Sequence, residues 1–191
     1  GRNSQGYAAR AGGWGHILGD EGSGYWLGRQ ALQAVVRQID QRGPSTTLTE
    51  RLLVHFGIAR PQDLVQVVYY RRLSPPAIAA LAAHLQPSAL GGDGVAADIL
   101  ARGADELVSS ALSVMTRLQM GDDGFVFVLA GGIFQAVPWL VDELTRRLTG
   151  LASKARVTRL TLNLRWAPSG WRSRNCSAVR GCRHTSKSSG L

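Results

Sequence analysis

A chain of 191 residues with 45% hydrophobic and 18% charged residues is long enough to bury one core and too apolar for a largely disordered segment. No run approaches the roughly 18 apolar residues of a transmembrane helix, and residues 1–10 lack the apolar stretch of a signal peptide, so a cytoplasmic protein without a membrane partner is expected. The net charge of +9 invites a nucleic-acid partner, but six basic residues (Arg165, Arg172, Arg174, Arg180, Arg183, Lys187) lie in residues 165–191 with no acid, leaving 16 basic against 13 acidic side chains in residues 1–164, so the excess belongs to a tail rather than a folded face and weighs against that partner.

In chain order, the opening Gly1-Arg2-Asn3-Ser4-Gln5-Gly6 reads as a strand-connecting turn, and the abrupt start suggests a piece of a longer protein. Residues 12–24 hold the densest glycine segment. A helix is predicted over about 25–41, with Leu32, Val35, Val36 and Ile39 as its apolar stripe and Gly43-Pro44 as its stop. Ser45 or Thr47 is expected to cap a short helix through His55, with Glu50 completing a capping box with Thr47. Further short helices are expected over 63–70 and 75–85, the latter with Pro75 and Pro76 in its first turn. Asp93 opens a long helix to about Leu118, with Ala96, Ile99, Leu100, Gly103, Leu107, Ala111, Val114, Met115 and Leu118 on one face. After a turn at Gly121-Asp122-Asp123-Gly124, the apolar run 125–130 reads as a strand covered on both faces. Gly131-Gly132 ends it, residues 138–147 read as helix, and residues 157–162 as a second strand. Strand, glycine turn, helix and strand make a βαβ unit, so the fold class is α/β with helices dominating. Residues 165–191 lose periodicity and are read as a disordered or altered tail.

Three segments have the composition of a binding site. In Gly13-Trp14-Gly15, glycines permit close backbone approach and Trp14 offers a flat face that suits the C–H face of a sugar ring; a tight turn with a packed Trp fits the same pattern. In Gly19-Asp20-Glu21-Gly22-Ser23-Gly24, Asp20 and Glu21 suit sugar hydroxyls, and Glu21 suits a Mg²⁺-bound water; capping of the following helix by Asp20, Glu21 or Ser23 fits equally. In Leu129-Ala130-Gly131-Gly132, bare backbone at the carboxyl end of a strand suits a base or ribose, although no Gly-Lys-Ser/Thr follows to make a P-loop. His16 lies in the glycine segment and is a weak ligand candidate, while His55 and His84 read as structural. Cys176, Cys182 and His184 fall short of a zinc set, so no metal centre is assigned to them.

Residues 11–26, from Ala11-Gly12-Gly13-Trp14-Gly15-His16 through Gly19-Asp20-Glu21-Gly22-Ser23-Gly24-Tyr25-Trp26, resemble the signature of N-acetylglucosamine kinases of the BadF/BadG/BcrA/BcrD ATPase family, within the actin-like superfamily. Leu129-Ala130-Gly131-Gly132 resembles that superfamily's adenosine motif. The resemblance covers roughly residues 1–164 and implies an RNase-H-like C-terminal domain of the actin-like ATPase fold. It implies phosphorylation of an amino sugar by ATP with Mg²⁺, with Gly13, Trp14, Gly15, Asp20 and Glu21 on the sugar and Gly131 and Gly132 on the adenosine. The loop around Arg72–Ala77 is implied to flank the base, on a poor match. The family's phosphate loops and catalytic Asp precede the equivalent of Gly1, so the resemblance implies a half-site with negligible turnover. A homodimer is compatible with it. The alternatives are an ATPase activator of the same superfamily, which would require cluster-binding Cys that residues 1–164 do not contain, a binding module without chemistry, and nucleic-acid binding through the tail.

Overall fold

Seven α-helices and one pair of strands form along residues 1–121 and 124–160, the residues described by a computed structural model. The centre of the predicted turn at Asp122-Asp123, the end of the second strand at 161–162, and the tail with Cys176, Cys182 and His184 lie outside the described residues. At the start, Asn3 and Tyr7 close a hairpin turn in which the Asn3 side chain accepts the Tyr7 N–H at 2.9 Å, and Arg2 bridges Ala8.

Helix α1 (Gly24–Ile39) is capped by Ser23, whose Oγ accepts the Trp26 N–H at 3.1 Å. It buries Leu27, Ala31 and Val35 completely. Val36, expected on the stripe, is instead 42% exposed, because it lies about 100° around the helix from Val35. The helix stops two residues before the predicted end. Gln41 adopts φ +55°, and the Gln41 and Arg42 N–H groups donate back to the Gln38 and Arg37 carbonyls, a left-handed stop that needs no glycine.

Helix α2 (Leu48–Phe56) does not form the predicted capping box. Thr47 is in a helical conformation, and its hydroxyl donates to Asp93 Oδ2 at 2.8 Å instead of capping its own helix. Thr46 Oγ1 takes over, accepting the Leu48 N–H at 3.2 Å while donating to the same Asp93 oxygen at 2.6 Å. Asp93 Oδ1 accepts the Val95 and Ala96 N–H groups and so caps α5 (Gly94–Arg117). One buried carboxylate thus joins two helix starts. Burial alone would raise its pKa, but the hydrogen bonds from Thr46, Thr47 and the Ala96 amide outweigh burial and hold it below the usual carboxylate value.

The segment predicted as one helix over 63–70 is a 3₁₀ turn at Pro61–Asp63 followed by a single π turn at Gln66–Tyr70. The segment over 75–85 divides into α3 (Pro75–Ala80), a 3₁₀ turn at Leu81–His84 and α4 (Leu85–Leu90). Pro87 explains the division, since it offers no N–H to the carbonyl four residues back. Helix α1 meets α3 backbone to backbone: a Cβ on Gly28 would stand 1.9 Å from the Ile78 carbonyl oxygen. Against α5, the Leu27 side chain fills the space over Gly103, where a Cβ would be 2.8 Å away.

Strands β1 (Val126–Leu129) and β2 (Arg156–Arg159) pair in parallel, Val126 opposite Arg156 and Leu129 opposite Arg159. The crossover runs through α6 (Ile133–Ala136) and α7 (Pro138–Leu151), which confirms the βαβ unit. The expectation that β1 is covered on both faces does not hold. Phe127 and Leu129 turn toward the helices, whereas Val126 and Val128 are 55% and 54% exposed, because no described element packs on that face. Helix α7 is tied to α5 by Arg147, which binds both Glu143 and Asp105. Hydrogen bonds from Arg146 and Arg147 depress the Glu143 pKa to about 2.

Candidate functional site

The glycine segment before α1 and the glycine turn after β1 meet across a groove of about 600 Å³. Gly13, Asp20 and Glu21 line one wall and Gly131 and Gly132 the other. Ala79 and Ala80 of α3, and Leu107 and Ser110 of α5, close the space between them.

Local chemistry explains why the first wall holds its shape. Gly12 and Gly13 both sit at φ +72°, a region that L side chains rarely adopt. At Gly22 the requirement is also steric. A Cβ there would stand 2.6 Å from Leu107 Cγ and 2.7 Å from the Gly103 carbonyl, so the loop lies directly on α5. Asp20 itself has φ +72°, a left-handed conformation that Asp tolerates better than most residues, at a cost of about 1 kcal/mol. Packing of Gly22 on α5 holds the strained backbone that carries this half-buried residue in the groove wall.

The question left open by the sequence, whether Asp20 and Glu21 serve the helix or a ligand, is answered on the helix side. Ser23 provides the α1 cap, and no acid occupies the first turn of that helix. Both carboxylates line the groove instead.

The second wall differs in kind. Gly131 has φ +134°, and a Cβ built on Gly131 or on Gly132 meets no protein atom within 4 Å. The backbone conformation calls for glycine at Gly131, and at neither position do protein atoms fill the side-chain space, so the main chain is open to the groove here. The Arg159 guanidinium braces this wall by donating to the Phe134 carbonyl at 3.1 Å.

Trp14 and Gly15 are placed beside the groove rather than in its lining. The Trp14 ring is 64% exposed, and the Arg10 guanidinium stacks over it at 4.6 Å from the ring centre. His16 packs edge-on against Tyr25 at 4.9 Å and does not line the groove. His55 and His84, read as structural, pair through their ring nitrogens at 3.1 Å, and burial together with the neighbouring His55 and Arg51 charges lowers the His84 pKa. Arg72 has φ +51°, and of the 72–77 loop no residue lines the groove, which α3 reaches through Ala79 and Ala80.

Sequence reasoning missed Ser110, Leu107, Ala79 and Ala80. Their periodicity marked them as helical, but periodicity does not say which turn of a helix faces a loop distant in the chain.

Among the described residues, the lining offers two acidic residues, Ser23, Ser110 and exposed main chain, and no Lys, Arg or His. The carboxylates and serines suit the hydroxyls of a ligand. No cationic side chain among these lining residues is available to a phosphate. Among the described residues, no group of three or more His, Cys, Asp or Glu is placed to hold a metal ion. Mg²⁺ commonly keeps most of its waters and takes one or two carboxylates together with substrate phosphates, so Glu21 fits as a residue that orients a metal-bound water.

Comparison with known proteins supplies the context. The BadF/BadG/BcrA/BcrD ATPase family matches residues 2–154. An N-acetylmuramic acid/N-acetylglucosamine kinase of Clostridium acetobutylicum is 36% identical over 148 residues, covering 78% of this chain and 48% of that protein. An N-acetyl-D-glucosamine kinase of Dictyostelium discoideum is 32% identical over 171 residues, covering 84% of this chain and 51% of that protein. Among solved structures, a candidate N-acetylglucosamine kinase of Chromobacterium violaceum superposes with a TM-score of 0.61 at 27% identity, covering 82% of this chain and 49% of that one. The chain therefore spans about half the length of the curated relatives it matches. Its mostly helical α/β arrangement with a small parallel sheet is that of the actin-like ATPase fold.

Proposed function

The chain belongs to the BadF/BadG/BcrA/BcrD ATPase family, and from that premise we propose that it supplies the sugar and adenosine subsites of an ATP-dependent amino-sugar kinase. The observation that carries this reading is the single groove lined by Gly13, Asp20 and Glu21 on one side and by Gly131 and Gly132 on the other. In this reading the Asp20 carboxylate accepts hydrogen bonds from sugar hydroxyls, where its fixed backbone reduces the ordering cost of binding. Gly13 lets the ring approach the main chain, and Trp14, beside the groove with Gly15, lends an apolar face at its edge. Gly131 and Gly132 accept the adenosine part against bare backbone. Residues 1–164 are assigned to this domain.

ATP-Mg²⁺, when bound, would supply the phosphoryl group, with the ion offsetting phosphate charge. The residues of this chain would bind and orient the two substrates, and Glu21 would be the residue placed to hold a water of the ion. The base that accepts the hydroxyl proton and the donors that hold the β- and γ-phosphates are assigned to sequence outside these 191 residues. This assignment agrees with the lack of cationic side chains among the described residues of the groove lining and with the half-length match to the relatives. The amino sugars in the relatives' names, N-acetylglucosamine and N-acetylmuramic acid, are the proposed substrate class.

Calorimetric titration tests the binding half of the proposal: N-acetylglucosamine and ATP each bind saturably, Asp20→Ala weakens only the sugar, and Gly132→Val weakens only the nucleotide. A coupled assay for ADP release tests the rest. The chain alone is expected to bind both and release negligible ADP. Release at the rate of a complete kinase would contradict the division of labour, and failure of either ligand to bind would contradict the reading itself.

A further inference from the structure

Resting on the amino-sugar reading above, we infer that Arg10 is the residue that reads a carboxylate carried by the sugar and so sets how strongly an acidic amino sugar binds relative to a neutral one. Arg10 stands at the sugar-side rim. Its Cδ is 3.9 Å from the position a Cβ would take on Gly13, a groove-lining residue, and its guanidinium stacks on Trp14. The Arg117 guanidinium donates to the Arg10 carbonyl at 2.8 Å, which anchors the Arg10 backbone.

Most arginines of this domain that contact an acid do so on their own helix or turn. Arg42 pairs with Asp40, Arg60 with Asp63, Arg102 with Asp98, and Arg146 with Glu143. Neither Arg10 nor Arg117 pairs with a carboxylate among the described residues. Stacking on Trp14 engages one face of the Arg10 guanidinium and leaves its edge N–H groups available, and that edge is what binds a carboxylate through two parallel hydrogen bonds. The stacking also orders a long side chain before any ligand arrives, which reduces the entropy lost on binding. A neutral sugar gives a cation at this rim nothing to do. An acidic one needs it, because Asp20 and Glu21 inside the groove repel an anion.

N-acetylglucosamine and N-acetylmuramic acid serve as probes, since they share the ring and differ by a carboxylate-bearing ether. Affinities of both for the chain are measured by calorimetry at low and at high salt, for the parent, Arg10→Gln and Arg10→Lys. The ratio of acid to neutral affinity is expected to fall about tenfold in Arg10→Gln and to recover in part in Arg10→Lys. In the parent the ratio falls as salt rises, whatever the variants' stability. A ratio unchanged by both Arg10→Gln and salt overturns the inference, as does N-acetylglucosamine binding with no binding of N-acetylmuramic acid. If neither sugar binds the parent, the amino-sugar reading fails and takes the inference with it.

Discussion

The junction around Asp93 and the loop around Asp20 each center on one aspartate before a helix, and they are built in opposite ways. Asp93 is 7% exposed and accepts five hydrogen bonds, from Thr46, from the Thr47 side chain and amide, and from Val95 and Ala96. Asp20 sits half-buried at a positive φ in a groove wall, and the neighbouring helix takes its cap from Ser23. A carboxylate whose lone pairs are all engaged within the protein stabilises the fold. One held rigidly on strained backbone, with its capping role filled by another residue, is available to a ligand. The two glycine walls teach the same distinction. Gly22 and Gly28 are required because protein atoms occupy the Cβ position, whereas Gly131 and Gly132 leave that position open.

Substitutions sharpen the contrast, and the largest effect is expected where protein fills the space. Gly28→Ala drives a methyl group into the Ile78 carbonyl and should cost about 3 kcal/mol, read as a lowered denaturant midpoint. Asp93→Ala strands two helix starts and should cost about 2–3 kcal/mol, with sugar and nucleotide affinity at the folded protein unchanged. Asp20→Gly should do the reverse. It relieves the left-handed strain, so stability shifts by no more than about 1 kcal/mol, while N-acetylglucosamine affinity falls at least about tenfold. Equal losses of stability from the Asp20 and Asp93 variants would erase the distinction.

The smallest effect is that of pH. Asp93 and Glu143 both have folded-state pKa values below their ordinary ones, Glu143 at about 2. Groups of this kind contribute stability that is fully present above the unfolded carboxylate range and lost as pH falls through the folded values. Unfolding monitored from pH 6 downward should therefore show stability declining below about pH 4.5, with Asp93→Asn flattening part of that decline.

Much of this was legible in the sequence where information is local. Asp93 as the start of a 24-residue helix and the strand that ends in Gly131-Gly132 followed from residue type and period, and the α1 cap was narrowed to Asp20, Glu21 or Ser23, of which the structure uses Ser23. The failures came where a distant partner outbid a local one. Thr47 and Glu50 have capping-box spacing, but Asp93, 46 residues away, captured the Thr47 hydroxyl. Pro87 broke what periodicity alone joined, and the exposure of Val126 and Val128 depends on which elements lie over the sheet. Within the groove, composition picked out both glycine walls, and Ser110 stayed invisible because its role depends on how α5 is placed.

The account rests on two ligands sharing one groove, and backbone amide resonances of the chain test that most directly. Titrated N-acetylglucosamine should shift Gly13, Asp20 and Glu21, and ADP should shift Gly131 and Gly132, with Ser110 between them responding to either. Shifts clustered elsewhere, with these five residues unmoved by both ligands, would contradict it.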